Sequence, residues 1–233
     1  MKAKRDKRMK QIIRLLIVMW MVSPGSLSQE LNVQPPADDT RVLQDDADGW
    51  ESLFDGETLT GWASVRYGGE GKPYIKNGAL VLPAAVEGLM TGVRWTGHSL
   101  PVNNYIISYE ARRVEGDDIF AGLTFPYGDT FASLIIGGWR GIVNGLSSIG
   151  GFDASENETC ELFSVRNNQW YSIQLHVTDS HIRAYLGAME IFDLATAGKE
   201  IHLRDEILAT GLTFWTYLST GEIRNIRIKS IKS

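Results

Sequence analysis

The sequence predicts an all-β fold, a two-sheet antiparallel β-sandwich of the jelly-roll type. Three observations predict it. Apolar and polar residues alternate in one segment after another, as in strands that bury one face. Turn residues separate these segments at short intervals, and 24 glycines are spread along the chain. Only residues 194–208 suggest a helix, and Gly198 within them limits the prediction to a short helical turn near 203–208.

The turns between the strands can be placed from local chemistry. Asn77-Gly78 predicts a tight hairpin, because both central positions of a type I′ turn need a positive φ. Asp179-Ser180 divides 170–186 into two further strands. The other strands are predicted at 89–95, 105–113, 119–125, 131–136, 142–147, 190–194 and 212–216.

The last strand carries an irregularity. Ile226 and Ile228 alternate with basic residues, whereas Ile223 and Ile231 fall out of phase with them. One extra residue in a strand produces such a shift, so a β-bulge is expected here.

The N-terminal residues 1–28 have the pattern of a secretory signal peptide. A basic segment precedes the apolar run LLIVMWMV at 15–22, and small residues follow at 26–28, where a signal peptidase would cleave. We expect a secreted or periplasmic protein, with an uncleaved anchor as the alternative, although the apolar run is short for a bilayer crossing. Residues 29–49 are acidic and contain two prolines, which predicts a disordered linker. Residues 50–233 then form one β-sandwich domain.

Charge and cysteine content exclude several classes of function. Residues 1–28 hold seven Lys/Arg and one acidic residue, so their removal changes the net charge from −5 to −11. Such a surface repels phosphate backbones, and no nucleic-acid partner is expected. Cys160 is the single cysteine and cannot form an internal disulfide. The four histidines lack metal-ligand spacing, so we expect no metal and no cofactor. Asp117-Asp118 has two alternative interpretations, a pair of Ca²⁺ ligands or an ordinary turn between strands. The oligomeric state is not predicted.

The glycine-rich segment 137–159 has the composition of a sugar-binding loop. Sugars offer apolar C–H faces to an aromatic ring and hydroxyl groups to charged or amide side chains. A purely structural loop is the alternative. The candidate substrate-binding residues in the segment are Trp139, Arg140, Asp153, Glu156 and Asn157.

Glu110 is the candidate general base. It lies in the middle of the strand YIISYEARR at 105–113, on the face opposite Tyr109. A carboxylate on a concave outer face could remove a proton from a bound sugar. The alternative is a surface charge balanced by Arg112.

Five segments together resemble the 3-keto-disaccharide hydrolase domain family of secreted bacterial proteins. They are GWESLFDGETLTGW, YIKNGALVL, YIISYEARR, NQWYSIQLHVTDSHIRAYLGAMEIFD and GEIRNIRIKSI, and they span 49–232. The resemblance implies a concanavalin A-like β-sandwich that cleaves glycosides oxidised at C3, by base-initiated elimination followed by hydration. It further implies Glu110 as the base, Arg140 or Arg66 as the stabiliser of the enolate oxygen, and Trp139 as a platform for the sugar.

The chain departs from the family pattern at three places. It has DDIFAGLTF, FASLIIGG and Leu186-Gly187-Ala188 where the family usually has Asn-Ser-Gly, Glu-x-Gln and Leu-Asn-Gly. A non-catalytic carbohydrate-binding or laminin-G-like lectin module is therefore the alternative function. A cell-surface interaction domain without a small ligand is a third.

Overall fold

The computed structural model describes residues 49–204, 207 and 210–231. The predicted signal peptide and all but the last residue of the predicted linker lie outside them. Of the helical turn predicted at 203–208, the structure describes Leu203, Arg204 and Ile207, and none of the three is helical. No helix among the described residues is long and apolar enough to cross a membrane.

The described chain consists of fifteen strands and one short turn of left-handed backbone. The elements are β1 (Trp50–Ser52), β2 (Trp62–Ser64), β3 (Tyr74–Lys76), β4 (Ala79–Leu82), β5 (Met90–Trp95), β6 (Tyr105–Gly116), β7 (Gly122–Tyr127), β8 (Thr130–Gly137), α1 (Gly138–Gly141), β9 (Val143–Ser147), β10 (Glu161–Leu162), β11 (Tyr171–Val177), β12 (His181–Leu186), β13 (Met189–Ala195), β14 (Thr213–Tyr217) and β15 (Ser219–Ser230).

These strands form two antiparallel sheets. The eight-stranded sheet has the order β13-β12-β11-β6-β15-β4-β3, and β1 also pairs with β15. The seven-stranded sheet has the order β10-β9-β8-β7-β14-β5-β2. The predicted all-β sandwich is confirmed.

The hairpin turn and the β-bulge predicted from local sequence are both present. Asn77 and Gly78 have φ values of 51° and 75°, and they join β3 to β4. The register of β15 against β6 shifts between Arg224 and Arg227, so the predicted bulge follows Ile223 and includes Ile226. Both isoleucines are therefore buried although three positions separate them.

Aromatic rings and branched side chains from both sheets fill the core between them. Phe214 of β14 is fully buried, and its ring centroid lies 4.9 Å from that of Tyr109 on β6. The ring centroid of Trp62 lies 5.7 Å from that of Phe214, and the Trp62 indole N–H donates to the Leu53 carbonyl at 2.8 Å. The Phe214–Tyr109 ring contact joins the two sheets, whereas Trp62 and Phe214 both belong to the seven-stranded sheet.

The seven-stranded sheet also carries apolar residues on its outer face. There they form a second cluster, separate from the core: Met90, Ile119, Ile135, Val143, Ala154 and Trp215, with Tyr67, Cys160, Ile207 and Tyr217 partly buried against it. The outer face of a sandwich sheet is usually exposed to solvent. Here it carries a partly buried apolar cluster, and this face contains the candidate site.

Candidate functional site

A cavity of about 570 Å³ opens on the outer face of the seven-stranded sheet. Its size is within the range of small-molecule sites. Residues from β5, β8, α1, β9 and β14 line it, together with residues from neighbouring loops. The lining residues are Leu89, Met90, Asp118, Ile119, Ser133, Ile135, Trp139, Ser147, Asp153, Arg204, Ile207, Trp215 and Tyr217.

Polar side chains lie together at one end of this cavity. Ser133 and Ser147 face each other across β8 and β9. The Ser147 hydroxyl donates to one oxygen of Asp153 at 3.0 Å, and the Arg204 guanidinium donates to the other. Ser133 also lies 3.0 Å, oxygen to oxygen, from the hydroxyl of Thr124. This end therefore presents a carboxylate, a cation and two hydroxyls.

The Trp215 ring packs closely against a glycine of the sheet and forms the floor of the cavity. A Cβ on Gly122 would come within 2.5 Å of the Trp215 ring, so only glycine lets the indole lie there. The indole N–H of Trp215 donates to Thr124 at 3.2 Å. Beside it, the Tyr67 ring would lie 3.1 Å from a Cβ on Gly92, but Tyr67 does not line the cavity. Burial raises the pKa of the Tyr67 phenol above its ordinary value.

Trp139 stands at the rim on an unusual backbone turn. Trp139 and Arg140 both have positive φ, 48° and 63°, a conformation that costs free energy for residues with a side chain. The Asp118 carboxylate stabilises it by accepting from three backbone N–H groups, those of Trp139 and Arg140 at 3.2 Å each and that of Ile119 at 2.9 Å. The carboxylate fills a nest of backbone donors and leaves the Trp139 side chain 39% exposed.

A buried arginine anchors Asp118 in turn. The guanidinium of Arg113 donates to the Asp118 carbonyl at 3.3 Å, the Val165 carbonyl at 2.8 Å and the Asn167 side chain at 2.5 Å. Burial lowers the pKa of Arg113, while Asp117 and Asp118 act in the opposite direction. The rim of the cavity is therefore tied to the end of β6 in the other sheet.

The structure does not bring Glu110 together with Trp139 and Arg140. Glu110 does point outward from β6, but β6 belongs to the eight-stranded sheet, whereas the cavity lies on the opposite side of the sandwich. Glu110 accepts from Arg224 at 2.6 Å, and the Arg224 guanidinium stacks 4.0 Å from the ring centre of Trp170. The compensating cation is thus Arg224 rather than Arg112, which pairs with Glu222.

The other predicted residues divide into two groups. Trp139 and Asp153 line the cavity. Arg140 is 85% exposed and lies 3.4 Å from Asp117. The Asn157 side chain binds the Leu146 carbonyl at 2.7 Å and the Thr159 backbone N–H at 2.9 Å, a structural role within the loop.

Arg66 and Glu156 complete the predicted set. Both are exposed, and neither lines the cavity. Only two of the seven predicted site residues therefore come together there. Among the described residues, no group of three or more His, Cys, Asp or Glu side chains is arranged to hold a metal.

The sequence prediction missed Arg204, Trp215 and Tyr217. A signal for the last two exists: LTFWTY at 212–217 has apolar residues at both odd and even positions, which indicates a strand covered on both faces. Arg204 lies in a segment without periodicity, 51 residues from its partner Asp153, and no local pattern indicates it.

A family model described as the 3-keto-alpha-glucoside-1,2-lyase-like domain matches residues 49–229. The chain belongs to this family. The match confirms the resemblance found in the five sequence segments. The comparison with curated protein sequences found no significant match.

Solved structures with the same fold share little sequence with this family member. A Parabacteroides distasonis protein, provisionally described as a glycosyl hydrolase, has a TM-score of 0.53 at 16% identity, covering 80% of this chain and 96% of its own. Crh5 transglycosylase in complex with NAG has a TM-score of 0.59 at 9% identity, with coverages of 80% and 86%. A Bacillus subtilis protein with a galectin-like fold has a TM-score of 0.51 at 10% identity, with coverages of 78% and 98%. At these identities the similarity establishes the sandwich fold alone.

Proposed function

We propose that the cavity binds a glucoside oxidised at C3 and that the protein eliminates its C1 substituent. The observation that carries the proposal is the Asp153–Arg204 pair in the wall of an aromatic-floored cavity. Family membership supports a carbohydrate-active role and names this chemistry for related domains.

The pair has the two groups that the elimination needs. A ketone at C3 acidifies the C2 proton, and Asp153 is the base that removes it. The electron pair moves to form an enolate whose oxygen Arg204 stabilises. Collapse of the enolate restores the C3 ketone, forms the C1–C2 double bond and expels the C1 oxygen. The proton held by Asp153 then passes to this leaving oxygen, and water can later add to the enone.

Asp153 is preferred to the other carboxylates for a geometric reason. Among the described lining residues, only Asp118 and Asp153 carry a carboxylate. Asp118 already accepts from three backbone N–H groups. Glu110 lines neither this cavity nor the smaller one described near Cys160. Glu110 as the base stays a prediction from the sequence, and it is the natural comparison for Asp153.

A specific observation favours binding without turnover as the second candidate. The outer-face positions of β8 at the cavity are Ser133 and Ile135, in the segment FASLIIGG where the family usually has Glu-x-Gln. In the part of the wall that the structure describes, Asp153 is then the one carboxylate free of backbone N–H donors, and it is paired with Arg204. Such a pair is sufficient to recognise sugar hydroxyls.

The experiment that separates the two functions is an elimination assay near neutral pH. The protein is expected to release 4-nitrophenol from 4-nitrophenyl 3-keto-α-glucoside and not from the unoxidised glucoside, because only the ketone acidifies C2. Deuterium at C2 should slow release if proton removal limits the rate. Binding without release above a denatured-protein control would contradict the catalytic proposal and support the binding module.

The hydrogen bonds from the Trp139 turn to Asp118 predict that both residues contribute to ligand affinity. In an Asp153→Asn background, where the ligand should persist, we expect Trp139→Ala to weaken binding of 4-nitrophenyl 3-keto-α-glucoside about tenfold by calorimetry, through loss of an aromatic contact. Asp118→Ala should weaken it similarly, because the turn that presents the ring loses its acceptor.

The Asp118→Ala/Trp139→Ala double variant tests whether the two residues affect ligand affinity through the same contact. If Asp118 acts by positioning Trp139, the double variant should bind no more weakly than Trp139→Ala alone. Arg140→Ala, on the same turn but 85% exposed, is the matched control and should leave affinity unchanged. Additive losses would show that Asp118 acts in another way.

The location of the protein in the cell is proposed from the N-terminal pattern alone. We expect export through the signal at 1–28, to the periplasm or the exterior, where glycosides would be met.

A further inference from the structure

The cavity has a polar end and an apolar end. The distance between them can be calculated from the pairing of residues on neighbouring strands. Ser133 lies in register with Thr124, and Thr124 with Thr213 on β14. Tyr217 follows Thr213 by four residues and faces Met90 on β5. At about 3.3 Å per residue, the Tyr217 row is about 13 Å from the Ser133 row. The cavity is therefore longer than one sugar ring.

The polar end is compact. Ser133, Ser147, Asp153 and Arg204 lie there, and the hydrogen bonds among Ser147, Asp153 and Arg204 hold them together. This end can hydrogen-bond to the hydroxyl groups and the C3 oxygen of one pyranose.

The far end is lined mainly by carbon, although Tyr217 carries a hydroxyl and Trp139 an indole N–H. The described residues there are Leu89, Met90, Ile119, Trp139 and Tyr217. The Asp118 carboxylate beside them already accepts from three backbone N–H groups, and the Trp215 indole N–H of the floor donates to Thr124. Leu89 is 53% exposed at the rim, so a ligand seated there would cover an apolar side chain that is otherwise in water.

We infer that the substrate is a glucoside with an apolar aglycone, with the sugar at the Asp153 end and the aglycone against Leu89, Met90 and Tyr217. This inference rests on the proposed function and narrows its substrate class. A disaccharide would place a second ring of hydroxyls against a wall that is mainly carbon, where most of the desolvated hydroxyls would lose hydrogen bonds to water without replacement.

The test uses aglycones that differ in apolar surface and not in leaving-group chemistry. Dissociation constants of cyclohexyl and methyl 3-keto-α-glucoside are measured in the Asp153→Asn variant, with the 3-keto form of a glucosyl-glucose disaccharide as a third ligand. We expect the cyclohexyl compound to bind at least about tenfold tighter than the methyl compound and tighter than the disaccharide.

Substitution at the rim locates the effect. Leu89→Ser should reduce the cyclohexyl-to-methyl ratio to about threefold or less, because it removes the apolar contact at the far end. Leu162→Ser on β10 is the matched control, since Leu162 is 61% exposed and lines neither described cavity. It should leave the ratio unchanged.

The outcomes separate this inference from the proposed function. If wild-type protein eliminates both glucosides but the variant binds them equally, or if the disaccharide binds tightest, the apolar-aglycone assignment is overturned alone. If the protein neither binds nor eliminates any of them, the proposed function fails first.

Discussion

Replacing Asp153 by asparagine is expected to lower kcat/KM for 3-keto-α-glucoside elimination by about 10²- to 10⁴-fold, the usual contribution of a positioned general base. The amide is nearly the same size and can still accept from Ser147, so the cavity wall should persist. It cannot take the C2 proton, however. The measurement is initial-rate kinetics of aglycone release, with ligand affinity determined separately.

Glu110→Gln is the matched control for that experiment. Glu110 and its partner Arg224 both lie on the eight-stranded sheet, away from the cavity, and the Glu110 carboxylate is partly exposed. Exposed and half-exposed ion pairs contribute little to stability, so this variant should fold and keep kcat/KM within about twofold of wild type. A large loss in Glu110→Gln with full activity in Asp153→Asn would reverse the assignment and return the base to the residue expected from the sequence.

Replacing Phe214 by alanine is expected to destabilise the fold by about 3–5 kcal/mol. Phe214 is fully buried between the sheets and contacts the rings of Tyr109 and Trp62. Its removal leaves a cavity that rigid β-strands fill poorly. The free energy of unfolding from urea denaturation measures the effect.

Tyr74→Ala provides the comparison for Phe214. Tyr74 is also an aromatic residue in a strand, but it is 45% exposed. We expect its replacement to change the free energy of unfolding by about 0.5 kcal/mol or less. Equal losses in the two variants would contradict the assignment of Phe214 to the centre of the core.

The fold was predictable because its signals are local. Alternation along β6 and β11, the Asn77-Gly78 turn and the phase shift in β15 each follow from a few neighbouring residues. The left-handed turn at Trp139 was not predictable in this way. It depends on hydrogen bonds to Asp118, which lies 21 residues earlier in the chain.

The site was less predictable because it depends on which strands become neighbours. Alternation correctly placed Glu110 on an outer face, but it does not specify which sheet contains the strand. That depends on the pairing of β6 with β15, where Arg224 lies 114 residues from Glu110. The Asp153–Arg204 pair is nonlocal in the same sense, and only one of its members stood in a segment with a recognisable composition.

The position of the bound sugar tests the central claim most directly. A crystal structure of the Asp153→Asn variant with cyclohexyl 3-keto-α-glucoside should place the pyranose on the outer face of the seven-stranded sheet, with C2 facing the side chain at position 153 and the C3 oxygen near Arg204. A sugar bound instead beside Glu110 and Trp170, on the eight-stranded sheet, would contradict the account.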